Sequence, residues 1–420
     1  MIRFFNAFVK ITAWPIQWFC FRTKVYYEEK AAQSRRIRGG AIVVCNHTSV
    51  FDYAVLLFVF FGRTLRTLMA EVLFRKKLLG AFLRAMGGIF VDRSSKNFSF
   101  LSECLAILKK DGVIGIFPES RLPRKDETPL LPFKTSAVYL AYHSGKPILP
   151  VYTNGSYFSP RRARVIVGKP FLVSEHWDDS LSEKENLAAV TELLRARVAT
   201  LSRLLEEKRL EPPKNHVFYE FVRLTGALPL WLFLRPKRFY LSAEAKKHPK
   251  GGVLYMANHR SFFDPVIMLM AVWFRRLHSL ATRELYPNDF LTWLFRQLHC
   301  IPVDKTDFRL SSFRLVEEEL KAGCAIQIFP EGGLNRTGDP VGAFKTGMIL
   351  MAMRAGVPIV PVYIAPRQSI LRRQKLAFGA PVALPACKGL PPMQEIERIA
   401  NGLHETELKL KALTEKEDWL

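Results

Sequence analysis

The sequence predicts two tandem α/β domains, each with a central mixed sheet flanked by helices and each preceded by a helical segment that lies at a membrane. Three observations predict this fold: short motifs that occur twice in the same order, apolar strand-like runs that alternate with helical patterns, and an aromatic, basic leader before each copy. The length of 420 residues suits two or three domains at about 150 residues each, or two larger ones.

The duplication is carried by four ordered blocks. Asn46–Asp52 (Asn-His-Thr-Ser-Val-Phe-Asp) returns as Asn258–Asp264, an offset of 212 residues (259 minus 47 for the histidines). The other repeated blocks are Ile89–Arg93 with Ile301–Lys305, Phe117–Glu119 with Phe329–Glu331, and Pro147–Val151 with Pro358–Val362. Ordered blocks at nearly one offset indicate two copies of one domain of about 210 residues each.

Each copy is preceded by an aromatic and basic leader, at Ile2–Phe21 and Val217–Leu234. No clean apolar run of 18 residues occurs, so a spanning helix is not clearly encoded, and these segments are expected to lie in the membrane interface. Helices packed on the protein's own core are the alternative. The predicted boundaries are a leader at 1–35, a first domain at 36–205, a linker at 206–215, a second leader at 216–240 and a second domain at 241–420.

Within each copy, apolar runs alternate with helical patterns, which is typical of an α/β domain. The predicted strands are Ala41–Cys45, Gly88–Val91, Val113–Phe117, Val253–Met256, Ala325–Phe329 and Ile359–Tyr363. The predicted helices are Tyr53–Phe61, Ser136–His143, Pro265–Phe274 and Gly347–Arg354, together with the periodic runs through Leu187–Leu205 and Ile396–Leu403 that close the two copies.

The charge balance indicates an anionic partner. The chain has 62 Lys and Arg against 38 Asp and Glu, a net charge of +24, which suits nucleic acid, a membrane surface or an acidic ligand. The 32 Phe and 7 Trp residues favour lipid, and the chain shows no recognised nucleic-acid-binding module. We therefore expect membrane lipids and an anionic bilayer surface as partners, and no nucleic acid.

The cysteines indicate a reducing compartment. None of the six forms a Cys-x-x-Cys pair or a Cys/His cluster along the sequence, which argues against a structural zinc site and a disulfide scaffold. The prediction is therefore that the protein binds no metal. The six residues are Cys20, Cys45, Cys104, Cys300, Cys324 and Cys387.

Both copies place a His and an Asp five residues apart, directly after an apolar strand: His47 with Asp52, and His259 with Asp264. Loops at strand ends are where α/β sheets carry their sites. The Asp would hold the imidazole in one tautomer and stabilise its cation, so that the other nitrogen can take a proton. Because no Gly-x-Ser-x-Gly motif or partnered Cys is present, the substrate is expected to supply the nucleophile, for instance an alcohol. A capping Asp beside a surface His is the alternative.

Cations follow the strands at the same edge of each predicted sheet, which is expected for an anionic substrate. Solvated surface charges are the alternative. The cations are Arg93, Arg121, Arg124 and Lys134 in the first copy, and Lys305, Arg336 and Lys345 in the second.

The order of these motifs (Asn-His-x-Ser-x-x-Asp, Val-Asp-Arg, Phe-Pro-Glu-Gly and Pro-Ile-Val-Pro-Val) resembles the glycerolipid acyltransferase family, over nearly the whole chain and twice. The resemblance implies acyl transfer from acyl-CoA or acyl carrier protein, as co-substrate, to a lysophospholipid hydroxyl, with no further cofactor. His47 and His259 would be the bases, and Asp52 and Asp264 their orienting partners. The resemblance also implies that Arg93 and the Glu119 loop hold the glycerophosphate, with Lys305 and Glu331 as their counterparts.

The function expected from the sequence is thus that of a tandem O-acyltransferase with a lysophosphatidic acid-like acceptor, giving phosphatidic acid. It would be peripheral or monotopic at the cytoplasmic face of the cell membrane. The third block departs from the family pattern, with Leu122 and Leu334 where Arg is usual, which leaves the acceptor open. Two alternatives stay open: one active domain with the other as scaffold, and a non-catalytic lipid-binding protein. Acyl chain length, the donor and the oligomeric state are not fixed by the sequence.

Overall fold

The chain divides into two compact units, Met1–Arg209 and Leu210–Leu420. The computed structural model describes residues 1–91, 99–124, 126–127, 130–158, 162–303, 310–335, 339, 341–367, 369, 372–385, 387 and 391–416. The boundary between the units falls within residues 206–215.

The first unit is built on a seven-stranded sheet of the described residues, with strand order β1-β7-β6-β2-β5-β3-β4. Neighbouring strands are parallel except β6 and β7, so the sheet is mixed, as predicted. The strands are β1 (Lys24–Tyr27), β2 (Ala41–Cys45), β3 (Leu65–Ala70), β4 (Ile89–Val91), β5 (Val113–Ile116), β6 (Ile148–Thr153) and β7 (Arg164–Val167).

Helices cover this sheet. They are α1 (Ile2–Thr12), α2 (Trp14–Ile16), α3 (Asp52–Val59), α4 (Lys77–Met86), α5 (Ser99–Lys109), α6 (Ser136–Ser144) and α7 (Glu183–Leu210). The last helix extends into the segment predicted as a linker, because Leu205 and Leu210 continue its buried apolar stripe.

The second unit repeats this architecture with the equivalent strand order, β8-β14-β13-β9-β12-β10-β11, and with one antiparallel pair, β13 and β14. Its strands are β8 (Lys237–Tyr240), β9 (Val253–Ala257), β10 (Leu277–Thr282), β11 (Cys300–Val303), β12 (Ala325–Ile328), β13 (Ile359–Ile364) and β14 (Lys375–Phe378). Its helices are α8 (Val217–Leu234), α9 (Asp264–Ala271), α10 (Asp289–Gln297), α11 (Leu310–Lys321), α12 (Gly347–Ala355) and α13 (Met393–Glu415).

The central strands are buried on both faces, which is why they read as unbroken apolar runs. In β2, Ile42 and Val44 pack in one core cluster with residues of α5, α6 and α7, whereas Val43 and Cys45 pack in another with α3. The alternation places an apolar layer on each side of the sheet and fixes the strand whose carboxyl end carries His47.

The two predicted leaders end in strands. β1 and β8 extend their sheets by pairing in parallel with β7 and β14, so part of each leader belongs to the α/β unit. Among the described residues, α8 is the one helix that is long and apolar enough to cross a membrane, judged by length and composition alone. In the structure, 11% of this helix is buried.

Candidate active site

The site in each unit lies on the loop that follows the central strand. β2 ends at Cys45, His47 follows, and Asp52 is the first residue of α3; β9, His259, Asp264 and α9 repeat this arrangement. Since the parallel strands beside β2 and β9 end at the same edge, the loops after β5 and β12 lie at this edge as well.

The structure brings both His–Asp pairs into hydrogen-bond contact. The Nδ1 atom of His47 lies 2.9 Å from Oδ2 of Asp52, and the same atoms of His259 and Asp264 are 3.0 Å apart. The imidazoles are about one-fifth exposed, at 21% and 17%, while the carboxylates are buried. A carboxylate on Nδ1 fixes the proton there, which leaves Nε2 to accept a proton.

Each Asp is held in place by the amide groups of its own loop. Asp52 Oδ2 accepts hydrogen bonds from the N–H groups of Thr48 and Ser49, at 2.6 and 2.9 Å. Asp264 Oδ2 accepts from Arg260 and Ser261, both at 2.7 Å. These bonds stabilise the ionised carboxylate, as does its place in the first turn of a helix.

The first unit has further hydroxyl contacts that sequence reasoning missed. Tyr157 donates to Asp52 Oδ1 at 2.6 Å, and Thr48 Oγ1 donates to the same oxygen at 3.0 Å. Tyr157 lies beyond the repeated blocks, so the duplicated motifs do not indicate it. Its counterpart by position, Gln368, lies outside the described residues.

The Asn before each His links two strands. Asn46 donates to Thr153 O at 3.0 Å and accepts from Thr153 N at 2.8 Å, which ties the end of β2 to β6. Asn258 makes the same pair of bonds with Ile364, at 3.1 and 2.7 Å. A buried amide that closes two such bonds fixes the direction in which the chain enters the His loop.

The phenylalanine of each Phe-Pro-Glu block packs against the histidine of the same unit. His47 stacks on Phe117 with ring centroids 4.5 Å apart, and His259 stacks on Phe329 at 4.2 Å. These contacts lock the imidazole rings against rotation.

Glu119 holds the backbone of the loop that is expected to bind the glycerophosphate. It is buried and accepts hydrogen bonds from His47 N at 2.9 Å and Leu131 N at 3.0 Å. In the second unit, Glu331 accepts from Gly342 N at 3.2 Å and, more weakly, from His259 N at 3.5 Å. Burial raises the pKa of both carboxyl groups, while the amide hydrogen bonds oppose the shift. The geometry assigns both residues to positioning.

The structure describes four of the seven predicted cations, which are Arg121, Arg124, Lys134 and Lys345. Arg121 is committed to a two-pronged ion pair with Glu127, at 2.6 and 2.7 Å, which lowers the pKa of that carboxyl to about 2. Arg124 and Lys134 are exposed. The remaining predicted cations, Arg93, Lys305 and Arg336, lie outside the described residues.

Lys345 lies over the loop after β12. A Cβ atom built on Gly332 would come within 2.8 Å of Lys345 Cε and Nζ, and Gly332 has a positive φ of 70°. The positive φ favours glycine at this position, whereas the flexible end of the lysine side chain could shift to admit a Cβ atom. In the first unit Ser120 takes the same left-handed conformation, with φ 62°, and presents a side chain at the position where the second unit has Lys345 close to a glycine.

An apolar cavity adjoins each site, and the two differ in size. In the second unit it measures about 840 Å³, and its lining includes His259, Phe329, Gly332 and Lys345. In the first unit the equivalent cavity measures about 430 Å³, and Phe117 and Lys134 line it.

Larger side chains account for the smaller cavity. Tyr53 and Met69 occupy positions that correspond to Pro265 and Ala281, both of which line the second cavity. Tyr53 packs against a buried cluster that contains Met69.

The fold and the site together define an α/β enzyme with a His–Asp pair beside an apolar cavity, present in two copies. The chain belongs to the Acyltransferase family, whose model matches residues 22–154 and 238–365, and it is an acyltransferase.

Each relative matches a stretch of this chain that is no longer than about one of its two copies. The 1-acyl-sn-glycerol-3-phosphate acyltransferase of Bacillus subtilis (strain 168) is 27% identical over 191 residues, 44% of this chain and 90% of that protein. The 1-acyl-sn-glycerol-3-phosphate acyltransferase beta of Homo sapiens is 30% identical over 152 residues, 34% of this chain and 53% of that protein. The crystal structure of the 1-acyl-sn-glycerophosphate (LPA) acyltransferase PlsC from Thermotoga maritima covers 45% of this chain and 79% of its own, at 23% identity and a TM-score of 0.33.

Proposed function

We propose that the chain is a tandem, membrane-associated O-acyltransferase that moves a fatty acyl group from acyl-CoA or acyl carrier protein to the hydroxyl of a lysophosphatidic acid-like lipid. The observation that carries this proposal is the second unit's cavity, whose apolar walls include both His259 and Lys345. The apolar volume suits an acyl chain, and a lysine is a point charge suited to phosphate. The relatives, which are named 1-acyl-sn-glycerol-3-phosphate acyltransferases, support the acceptor class.

The His–Asp geometry supports a general-base mechanism. With Nδ1–H bound to the carboxylate, Nε2 removes the proton of the acceptor hydroxyl as the hydroxyl oxygen attacks the thioester carbonyl. The carbon–sulfur bond then breaks, and the imidazolium returns its proton to the leaving thiolate. Proton transfer of this kind contributes roughly 10²–10⁴-fold in rate, and the stacked, hydrogen-bonded ring keeps the base in position.

The first helix supports a place at the bilayer, because its polarity is inverted. Asn6 and Lys10 are buried against the unit: Asn6 donates to Met86 O at 3.1 Å, and Lys10 donates to Arg63 O at 2.7 Å. Phe4 and Phe8, in contrast, are 79% and 56% exposed. A helix that buries its polar side chains and exposes its aromatic ones is matched to lipid on its outer face.

Exposed apolar side chains also lie on the His loops. Phe51 precedes Asp52 directly and is 41% exposed, and Phe262 and Phe263 precede Asp264 and are 75% and 67% exposed. An aromatic residue beside the reacting centre would bring the His loop down to the lipid surface, where the acceptor resides. The excess of basic residues adds attraction to anionic lipid, about 1 kcal/mol for each one near the surface. A peripheral or monotopic place at the cytoplasmic face of the cell membrane follows as part of the proposal.

The difference between the cavities favours a second candidate, in which the second domain performs most of the acyl transfer and the first serves mainly as a scaffold. Both His–Asp pairs are assembled, which supports two working sites. Family membership and the two assembled His–Asp pairs argue against a non-catalytic lipid-binding protein.

The test uses purified full-length protein, lysophosphatidic acid and both types of acyl thioester, with lipid products identified by mass spectrometry. His47→Ala should remove the first domain's turnover, His259→Ala the second's, and the double variant should be inactive yet folded. Undiminished turnover in the double variant would exclude the mechanism. Turnover that depends on His259 alone would establish the scaffold alternative.

A further inference from the structure

Side chains with nitrogen, oxygen and sulfur atoms lie close together at one edge of the second unit's sheet, the edge opposite His259. His278 is the second residue of β10, Glu319 lies in the last turn of α11, and Cys324 directly precedes β12. β10 and β12 run parallel to β9, whose carboxyl end carries His259, so the cluster lies at the amino ends of these strands. It therefore forms no part of the acyl-transfer site.

His278 is buried without a hydrogen bond. It is 1% exposed, and neither of its ring nitrogens has a hydrogen-bond partner among the described residues. Its nearest carboxylate oxygen is Glu319 Oε2, 3.5 Å from Nδ1, which is long for a hydrogen bond. Burying an imidazole without a hydrogen-bond partner costs about 1–3 kcal/mol of stability. A ligand bound by its lone pair would offset this cost.

The distances in the cluster suit a metal ion. Cys324 Sγ lies 3.2 Å from Glu319 Oε2, and the ligand atoms of His278, Glu319 and Cys324 all lie within 4.8 Å of one another. Tetrahedral zinc, with bonds of about 2.0–2.3 Å, holds its ligand atoms roughly 3.3–3.8 Å apart. We propose that His278, Glu319 and Cys324 bind a zinc-class divalent cation, with water in the fourth position on the solvent side of Glu319.

A neighbouring set of histidines could also offer three nitrogens, but its geometry is unsuitable. His216 and His299 are stacked with centroids 4.1 Å apart and planes 3° apart. Lone pairs lie in the ring plane, so two parallel stacked rings cannot both point at one ion. His299 Nε2 is, in addition, engaged with Asn215 O at 3.0 Å. The His278, Glu319 and Cys324 set is therefore preferred.

The cations beside the cluster have other partners. Arg276 pairs with Glu220 at 2.5 Å, and Arg275 donates to the carbonyl oxygens of Pro249, Gly251 and Gly323. Their guanidinium groups are thus held by groups outside the ligand set, and Glu319 and a cysteine thiolate supply the negative charge that a divalent ion needs.

The ion would join elements that are distant in sequence. Bound there, it connects β10 to the turn between α11 and β12, next to the point where Tyr219 at the start of α8 exchanges hydrogen bonds with Leu277. Its expected role is structural: it fixes the amino edge of the sheet against which the exposed apolar helix begins.

The experiment is a cobalt titration of full-length protein that carries no histidine tag and has been stripped with a chelator. Cobalt is used because a thiolate ligand gives it a charge-transfer absorption band that a histidine or carboxylate does not. The wild type should develop this band at one equivalent, zinc should abolish it by displacement, and zinc should raise the thermal unfolding temperature. Cys387→Ser, which removes another half-buried cysteine of the same unit, is the matched control and should keep the band.

Cys324→Ser should lose the band while circular dichroism shows the wild-type fold. Glu319→Gln, a change on a partly exposed side chain, should weaken zinc binding by at least the roughly 10–100-fold that outer-shell substitutions cost. It also serves as the test if Cys324→Ser fails to fold. The proposal is overturned if the wild type gives no thiolate band, if Cys324→Ser gives an equal one, or if Glu319→Gln binds zinc as tightly as the wild type.

Discussion

The phenol of Tyr157 donates a hydrogen bond to Asp52 Oδ1, while His47 occupies Oδ2 of the same carboxylate. One carboxylate oxygen therefore contacts His47, the residue that transfers the proton in the proposed mechanism. The other contacts Tyr157, which holds the carboxylate in place. Asp52 is therefore held from both sides, and the orientation of the imidazole depends in part on a residue 105 positions away in the sequence.

Removing this anchor should weaken the first domain. Tyr157→Phe deletes a hydrogen bond to a buried charged group, which we expect to lower the free energy of unfolding by about 1.5–3 kcal/mol. Acyl transfer by the first domain, measured in a His259→Ala background, should fall because Asp52 keeps only Thr48 on Oδ1. Tyr142→Phe is the control, since Tyr142 is exposed and stacks on Trp177. Equal stability and turnover in Tyr157→Phe would show that the phenol only fills space.

The cavities predict different acyl chain preferences in the two domains. Met69→Ala should enlarge the first cavity and extend the first domain's products to longer chains, and Ala281→Met should restrict the second domain to shorter ones. Each variant is read in the background that lacks the other domain's histidine, by mass spectrometry of products from a mixture of acyl thioesters. Met69→Ala should also cost about 2–5 kcal/mol of stability, because Met69 is buried.

The control for the chain-length experiment is Ala243→Met, which adds the same side chain at an exposed position. It should leave the product distribution unchanged. If neither cavity variant shifts chain length, the cavities do not hold the acyl chain.

Much of the fold could be predicted from the sequence, because buried central strands are apolar along their whole length. The predicted strand Ala41–Cys45 matches β2 to the residue. β1 and β8 fall within the predicted leaders, and the sequence does not mark them as strands. Each begins with lysine and occupies an edge of its sheet, where polar residues are tolerated.

The His–Asp pairs could be predicted because both partners lie within one loop and occur twice. The contacts between distant segments could not. Tyr157 is outside the repeated blocks. The sequence around Glu119 does not indicate that its carboxylate accepts hydrogen bonds from backbone amides. The prediction that the protein binds no metal relies on cysteine spacing, which detects only motifs that are local in the sequence. His278 and Cys324, in contrast, come together through parallel strand pairing.

The inverted first helix predicts a specific dependence of membrane binding on its outer face. Phe8→Gln should weaken sedimentation with anionic vesicles, because an exposed Phe that enters lipid contributes about 1.5–3 kcal/mol. The free energy of unfolding in the absence of vesicles should change little. Tyr142→Gln, at an exposed aromatic residue outside the leader, is the control, and high salt should weaken binding by all variants. Equal sedimentation of Phe8→Gln and the wild type would show that this face does not meet lipid.

A buried carboxyl group in α13 predicts an unusual dependence of stability on pH. Glu407 is fully buried, and neither of its carboxylate oxygens has a hydrogen-bond partner among the described residues. Burial raises the pKa of this group well above its ordinary value of 4.5, and the negative charge of Glu331 raises it further. The native state therefore keeps a proton that the unfolded chain releases above about pH 4.5.

The sign of the effect follows from this difference in bound protons. Between pH 4.5 and the higher pKa of the folded state, the native protein binds more protons than the unfolded chain, so its stability falls as pH rises, by at most about 1.4 kcal/mol per pH unit. Glu407→Gln has no proton to lose and should remove this slope. Urea unfolding at pH 5 and pH 8 measures it: the variant should gain stability over the wild type at pH 8 relative to pH 5. Glu405→Gln, two residues away at an exposed position of α13, provides the matched control and should follow the wild type. A constant difference between Glu407→Gln and the wild type at the two pH values would mean that Glu407 is ionised in the folded protein over this pH range.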